Sequence, residues 1–163
     1  MTKLAYFPKY QQLNSIEKFI LNTCCYFPPK PRRERGVEID LNIDKYISLS
    51  QSAFGKTIFE RFKNKKVLDF GCGEGGFSIA FAKNCPTASI NGIDLIDGFS
   101  KANQIILDEK LNNVELIVGY SSSLPNESYD VIISHDSFEH FEDPEYILTE
   151  MERLTKWGGG NIN

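Results

Sequence analysis

The chain has 163 residues, 41% of them hydrophobic and 25% charged, with a net charge of −4. That composition suits one ordinary globular domain and excludes a wholly disordered chain. The charge is uneven: residues 1–66 carry 13 Lys and Arg against 6 Asp and Glu, and residues 67–163 carry 5 against 16.

No apolar run approaches the length of a membrane span, and the N-terminus lacks the apolar core of a signal peptide. The four cysteines (Cys24, Cys25, Cys72 and Cys85) sit in unrelated contexts and give no disulfide framework, so a reduced, cytoplasmic protein is expected. The basic lead segment complements the acidic body or attracts an anion. Its basic and aromatic residues do not interleave as a nucleic-acid groove requires, which argues against a nucleic-acid partner.

Residues 1–64 read as a helical lead-in and 65–163 as the main domain. Gln11 to Cys24 has helical spacing in Leu13, Ile16, Phe19 and Ile20. Phe27-Pro28-Pro29-Lys30-Pro31-Arg32-Arg33 breaks it. A second helix is predicted over Ile47 to Phe62. Then the pattern changes. Strands are predicted at Val67–Phe70, Ala88–Asp94, Val114–Val118 and Tyr129–Ser134. Helices are predicted at Phe77–Lys83, Gly98–Lys110 and Glu145–Lys156. This alternation implies an α/β fold with a parallel, Rossmann-like sheet and helices on both faces.

The most informative segment is Asp69-Phe70-Gly71-Cys72-Gly73-Glu74-Gly75-Gly76, between a strand and a helix. Glycines there allow a sharp turn and a close approach of ligand to main chain. Gly71, Gly73 and Gly76 fit the dinucleotide spacing, with Asp94 near the distance expected of a ribose-binding acid. Asp69, Gly71, Gly73 and Gly75 fit instead an acid followed by alternate glycines, the S-adenosylmethionine loop. The ligands differ in charge. A diphosphate beside Asp69 would be repelled, whereas a sulfonium and an ammonium would be favoured.

From about Lys65 to Gly159 the sequence resembles the class I S-adenosylmethionine-dependent methyltransferases, and most the small-molecule branch typified by ubiquinone-biosynthesis-like enzymes. The resemblance rests on Val67 to Gly75, Gly92-Ile93-Asp94-Leu95, Leu124-Pro125 with Tyr129-Asp130-Val131-Ile132, Phe138-Glu139-His140-Phe141, Asp143-Pro144, and Leu154 to Gly159. It implies S-adenosyl-L-methionine as cofactor and methyl transfer to a small-molecule, lipid or sugar acceptor, with O-methylation favoured by family frequency. It also implies that Asp69 helps hold the methionine ammonium and that Gly71, Cys72, Gly73 and Gly75 present backbone. Asp94 would accept both ribose hydroxyls, Leu95 would pack on adenine, and Ser134 would offer its carbonyl. Tyr120 stands where the family usually has an Asp for the adenine amino group; it would stack or replace that bond, with Ser121 donating its backbone N–H.

Both histidines fall after the fourth strand. His135 or His140 is a candidate general base. Asp136, Glu139 and His140, three and four apart on one helix face, would converge on a divalent cation. A purely structural role for this stretch stands beside both readings. Phe19, Tyr26, Phe27 and Tyr46 are expected as core or as an acceptor lid.

The family fold continues past Gly158-Gly159-Gly160 with three more strands. A strand order 3-2-1-4 with strands 5 to 7 missing is therefore expected, and with it a bare fourth-strand edge prone to self-association. Two rival readings remain: a truncated, non-catalytic remnant that binds a nucleoside or a partner chain, and a nicotinamide-dependent oxidoreductase.

Overall fold

Short apolar runs bounded by glycine and turn residues become strands here because neighbours cover them on both faces. The computed structural model describes residues 41–162, and these lie in one compact unit. In chain order they form α1 (Ile43–Phe54), α2 (Ile58–Phe62), β1 (Lys66–Phe70), α3 (Gly76–Asn84), β2 (Ser89–Asp94), α4 (Ser100–Asp108), β3 (Val114–Val118), β4 (Tyr129–Ile133), α5 (Pro144–Leu154) and β5 (Thr155–Ile162).

The strands form one sheet in the order β3-β2-β1-β4-β5, parallel at every pairing. This is the Rossmann-like architecture expected from the alternation of elements. Successive side chains of a strand leave opposite faces. Val67, Ile90, Val131 and Ile133 therefore pack with Ile58, Phe59 and Phe62 of α2 and Phe81 of α3. Leu68, Phe70, Ile93 and Ile132 face the other way, onto Met151 and Leu154 of α5. Asn42 caps α1 by accepting from Lys45 N at 3.1 Å. Asp143 caps α5 by accepting from Tyr146 N at 3.0 Å, with Pro144 opening the helix.

Two expectations are corrected. The single helix predicted over Ile47 to Phe62 is two helices, because Gly55 adopts φ +91° and ends α1. The fifth strand is present: Val131, Ile132 and Ile133 of β4 pair with Gly160, Asn161 and Ile162 of β5. β4 is consequently an interior strand and not a bare edge. The stretch Gly158 to Asn161 has no apolar alternation to announce a strand. What recruits it is main-chain hydrogen bonding, which β4 needs and which no side chain supplies. The predicted helix at Gln11–Cys24, the proline-rich break and the arginines at 32, 33 and 35 lie outside the described residues. Among the described residues no helix is long and apolar enough to cross a membrane.

α1 packs against the start of α3. A Cβ added at Gly76 would come within 2.4 Å of the Tyr46 ring, and that ring is also edge-on to Phe77 at 5.0 Å. Gly76→Ala should therefore displace Tyr46 and cost about 1–3 kcal/mol of stability. Urea denaturation checks this through a lowered midpoint at unchanged slope.

Candidate functional site

The carboxyl ends of β1 to β4 gather the residues that the sequence singled out, as ligand sites in open parallel sheets require. Asp69 is the next-to-last residue of β1 and is 2% exposed. Its Oδ2 accepts a 2.7 Å bond from Ser78 Oγ, in the first turn of α3. Burial pushes the Asp69 carboxyl up to about 7, against the opposing pull of the Ser78 hydrogen bond, and the charge of Asp94 adds to the rise. An acid in that position gains most from a cation brought beside it.

The glycine loop after β1 turns through three left-handed residues, Gly71 (φ +75°), Gly73 (φ +58°) and Gly75 (φ +84°). Main-chain bonds lock it to β2. Gly71 N and Cys72 N both donate to Ile93 O, at 2.9 and 3.0 Å, and Gly73 N donates to Asp94 Oδ2 at 2.9 Å. Asp94 Oδ1 accepts from Ile96 N at 3.0 Å. Each carboxylate oxygen thus holds one backbone donor and keeps acceptor capacity for one more. A Cβ at Gly73 would meet nothing within 4 Å, so the loop is open at its centre.

Cys72 is buried in the same loop. Burial, reinforced by Asp69 and Asp94, drives its thiol far upward. It is a neutral side chain at physiological pH and no nucleophile.

Leu95 and Ile96 beyond β2 and Tyr120 beyond β3 are exposed apolar side chains at adjacent strand ends. Gly119 N donates to Asp94 O at 2.9 Å and ties the two loops together. Ser121 Oγ donates to Glu150 Oε2 at 2.8 Å. On the β4 side, the buried hydroxyls of Ser134 and Ser137 each donate to Phe70 O, at 3.0 and 3.3 Å.

The histidines are placed differently. His135 is largely enclosed, its ring 4.4 Å from that of Phe77 and 5.4 Å from that of Phe54. Its Nδ1 is buried without a hydrogen-bond partner, and Asp136 Oδ2 approaches it only to 3.4 Å. His140 is exposed. Asp136 has φ +51° and lies outside any helix, and only Phe138–His140 form a 3₁₀ turn. The shared helix face expected of Asp136, Glu139 and His140 is therefore absent. Among the described residues no group of three acidic, His or Cys side chains could hold a metal ion.

Of the aromatic set expected as core or lid, Tyr46 is half-buried against Gly76 and Phe77. Phe19, Tyr26 and Phe27 lie outside the described residues. Sequence reasoning missed Ser78, Ser137 and Phe54. Ser78 carried one signal, a hydroxyl within the apolar run Phe77 to Ala82.

The geometry fits a ligand that is cationic near Asp69 and hydroxylated near Asp94. A diphosphate is disfavoured there, because it would lie against two acids, Asp69 and Glu74, with no base in residues 69–76 to offset them.

Comparison with known proteins agrees. The sequence model of the methyltransferase-domain family matches residues 61–162. An uncharacterized methyltransferase of Schizosaccharomyces pombe is 31% identical over 106 residues, covering 60% of this chain and 38% of its own length. A ubiquinone biosynthesis O-methyltransferase of Nitrosomonas europaea is 36% identical over 98 residues, covering 58% of this chain and 41% of its own. The chain thus spans about two fifths of these curated relatives. A crystal structure from Pyrococcus horikoshii superposes with a TM-score of 0.61 at 29% identity, covering 75% of this chain and 58% of that one.

The raised acid gives a stability test. The folded Asp69 carboxyl keeps its proton up to about pH 7, whereas its ordinary value is 3.8. Between those limits the native state binds more protons than the unfolded state, so the stability contributed by this site falls as pH rises and stays low above 7. Asp69→Asn keeps an acceptor for Ser78 and removes the charge. It should match the parent near pH 4 and exceed it at pH 8 by up to about 4 kcal/mol. Urea titrations at the two pH values measure the difference.

Proposed function

The chain belongs to the class I S-adenosylmethionine-dependent methyltransferases, and from that premise we propose that it transfers a methyl group from S-adenosyl-L-methionine to a small-molecule, lipid or sugar acceptor, at oxygen in preference to nitrogen or carbon. The observation that carries the reading is the buried Asp69 carboxylate beside an open glycine turn with no basic residue in it. The preference for oxygen is supported by likeness to the ubiquinone biosynthesis O-methyltransferase.

When bound, the cofactor supplies a methyl group already activated on a cationic sulfur. The protein's work is then chiefly to hold the reactants in line and to keep water away. Asp69 balances positive charge at the methionine end. The backbone of Gly71, Cys72, Gly73 and Gly75 accommodates the ligand closely, and Ser134 offers a carbonyl. Asp94 uses its remaining lone pairs for the ribose hydroxyls. Leu95 and Tyr120 flank the nucleobase, and Ser121 presents its N–H.

On the acceptor side, His135 in its aromatic enclosure, with His140 as the alternative, takes the proton that an acceptor hydroxyl must lose. The imidazole needs no metal for this. Tyr46 and Phe54, from the segment read as lead-in and lid, support that placement because they pack on α3 and on His135. The buried thiols of Cys72 and Cys85 are unpaired, in keeping with a reducing, cytoplasmic setting.

Isothermal titration of the chain with S-adenosylhomocysteine should give saturable heat. Asp94→Ala should weaken binding by about 10- to 100-fold through loss of charge-assisted bonds, and a nicotinamide dinucleotide should leave the melting temperature unchanged. Absence of any heat with the wild-type chain removes the cofactor from the proposal.

A further inference from the structure

The loop after β3 is held at its start by the main chain of the donor-site acid Asp94 and on its far side by groups outside that site. Its start is fixed to the tip of β2 by the bond from Gly119 N to Asp94 O. Its far side is gripped by Arg153, in the last turn of α5. Arg153 Nε donates to Glu150 Oε1 and Nη2 to Glu150 Oε2, both at 2.8 Å. Nη2 also donates to Ser121 O at 2.9 Å, and Nη1 to Leu124 O at 3.0 Å and Asn126 Oδ1 at 2.6 Å. Every one of the five guanidinium hydrogens therefore has an acceptor. Three of those acceptors belong to one loop.

Glu150 completes the grip. It is 7% exposed, and its Oε2 accepts from Ser121 Oγ as well as from Arg153. The Arg153 hydrogen bond holds the Glu150 carboxyl below the usual range, so the pair is ionised. Taking a carboxylate out of water gains little stability over an apolar side chain of similar size. A planar fork with fixed directions, by contrast, fixes geometry in a way that a lysine ammonium cannot. Ser121, which the fork grips directly, and Tyr120 just before it are two of the three residues assigned above to the nucleobase, the third being Leu95 on the neighbouring loop.

We propose that Arg153 and Glu150 are positioning residues for donor binding: they set the loop that presents Tyr120 and Ser121, and they touch no ligand. The inference rests on the donor-site reading given above. Its test is made on the full chain with two probes, S-adenosylhomocysteine and methylthioadenosine, the second of which keeps the nucleoside and lacks the amino-acid end.

Arg153→Lys should weaken both probes by the same factor, about fivefold or more, because the loss is at the nucleoside end. Asp69→Asn should weaken S-adenosylhomocysteine alone. A role confined to fold stability would lower the melting temperature of Arg153→Lys and leave the dissociation constants of the folded protein unchanged. A folded Arg153→Lys that binds both probes within about twofold of wild type overturns the proposal, and so does one that loses only S-adenosylhomocysteine. Should Arg153→Lys not melt cooperatively, Ser121→Ala decides: it removes only the hydroxyl bond to Glu150. About threefold weaker binding of both probes supports the clamp, and unchanged binding overturns it. A wild-type chain that binds neither probe sinks the donor site instead.

Discussion

A carboxylate buried at the end of the central strand, with a hydroxyl for company and no basic partner, is the constraint around which the rest of this site is arranged. Asp69 sits in β1, flanked by β2 and β4. Its neighbour in register on β2 is Gly92. A Cβ at Gly92 would stand 2.5 Å from Ser78 Oγ and 2.9 Å from Cys72 Sγ, so the hydroxyl that serves Asp69 also dictates a glycine on the next strand. The desolvation penalty on the acid is only partly offset within the chain, by hydrogen bonding from Ser78. Under the proposed function, a cation at that point relieves it and so links donor affinity to the energy stored in the fold.

The topology converts that single constraint into a site by bringing the ends of β3, β2, β1 and β4 into one row. The ties between neighbouring ends are main-chain or hydroxyl bonds to main chain: Gly71 N and Cys72 N to Ile93 O, Gly119 N to Asp94 O, and the Ser134 and Ser137 hydroxyls to Phe70 O. Backbone ties leave side chains for recognition. Asp94 is the clearest case, since its two oxygens anchor two backbone N–H groups and still face outward at the rim. The two apolar layers beneath carry the stability. The rim is left open, with the exposed side chains of Leu95, Ile96 and Tyr120 beside a few polar groups such as Asp94.

The strands, the glycine turn and Asp94 were legible because each has a local signature: apolar runs of strand length, glycines at alternate positions, an acid ending the second strand. β3 agrees with its predicted span, Val114–Val118, and β2 differs by one residue. What was illegible is non-local. β5 has no apolar pattern of its own and is defined by the needs of β4. Gly55 divides one expected helix into two because a left-handed residue cannot continue a helix, although the apolar spacing runs on past it. Helical spacing after β4 suggested one face for Asp136, Glu139 and His140, and the backbone gives them none. Asp136 at φ +51° breaks the register on which that face depended. The Glu150–Arg153 clamp reads in sequence as an ordinary surface pair three apart, and only the fold reveals that its other partners come from residues 121–126.

The two halves of the site differ in origin. Under the proposed function, the donor half is built from β1, β2, β3 and their loops, within the span that matches the family. The half nearer His135 borrows its walls from α1, which precedes that span. Phe54 and Phe77 close on the imidazole, and Tyr46 braces Phe77. Enclosing an imidazole nitrogen with no hydrogen bond costs about 1–3 kcal/mol, a cost offset when an acceptor hydroxyl occupies that position under the proposed function. The unsatisfied nitrogen thus lies beside Phe54 of α1, an element other than the strand and helix that carry Asp69 and Ser78.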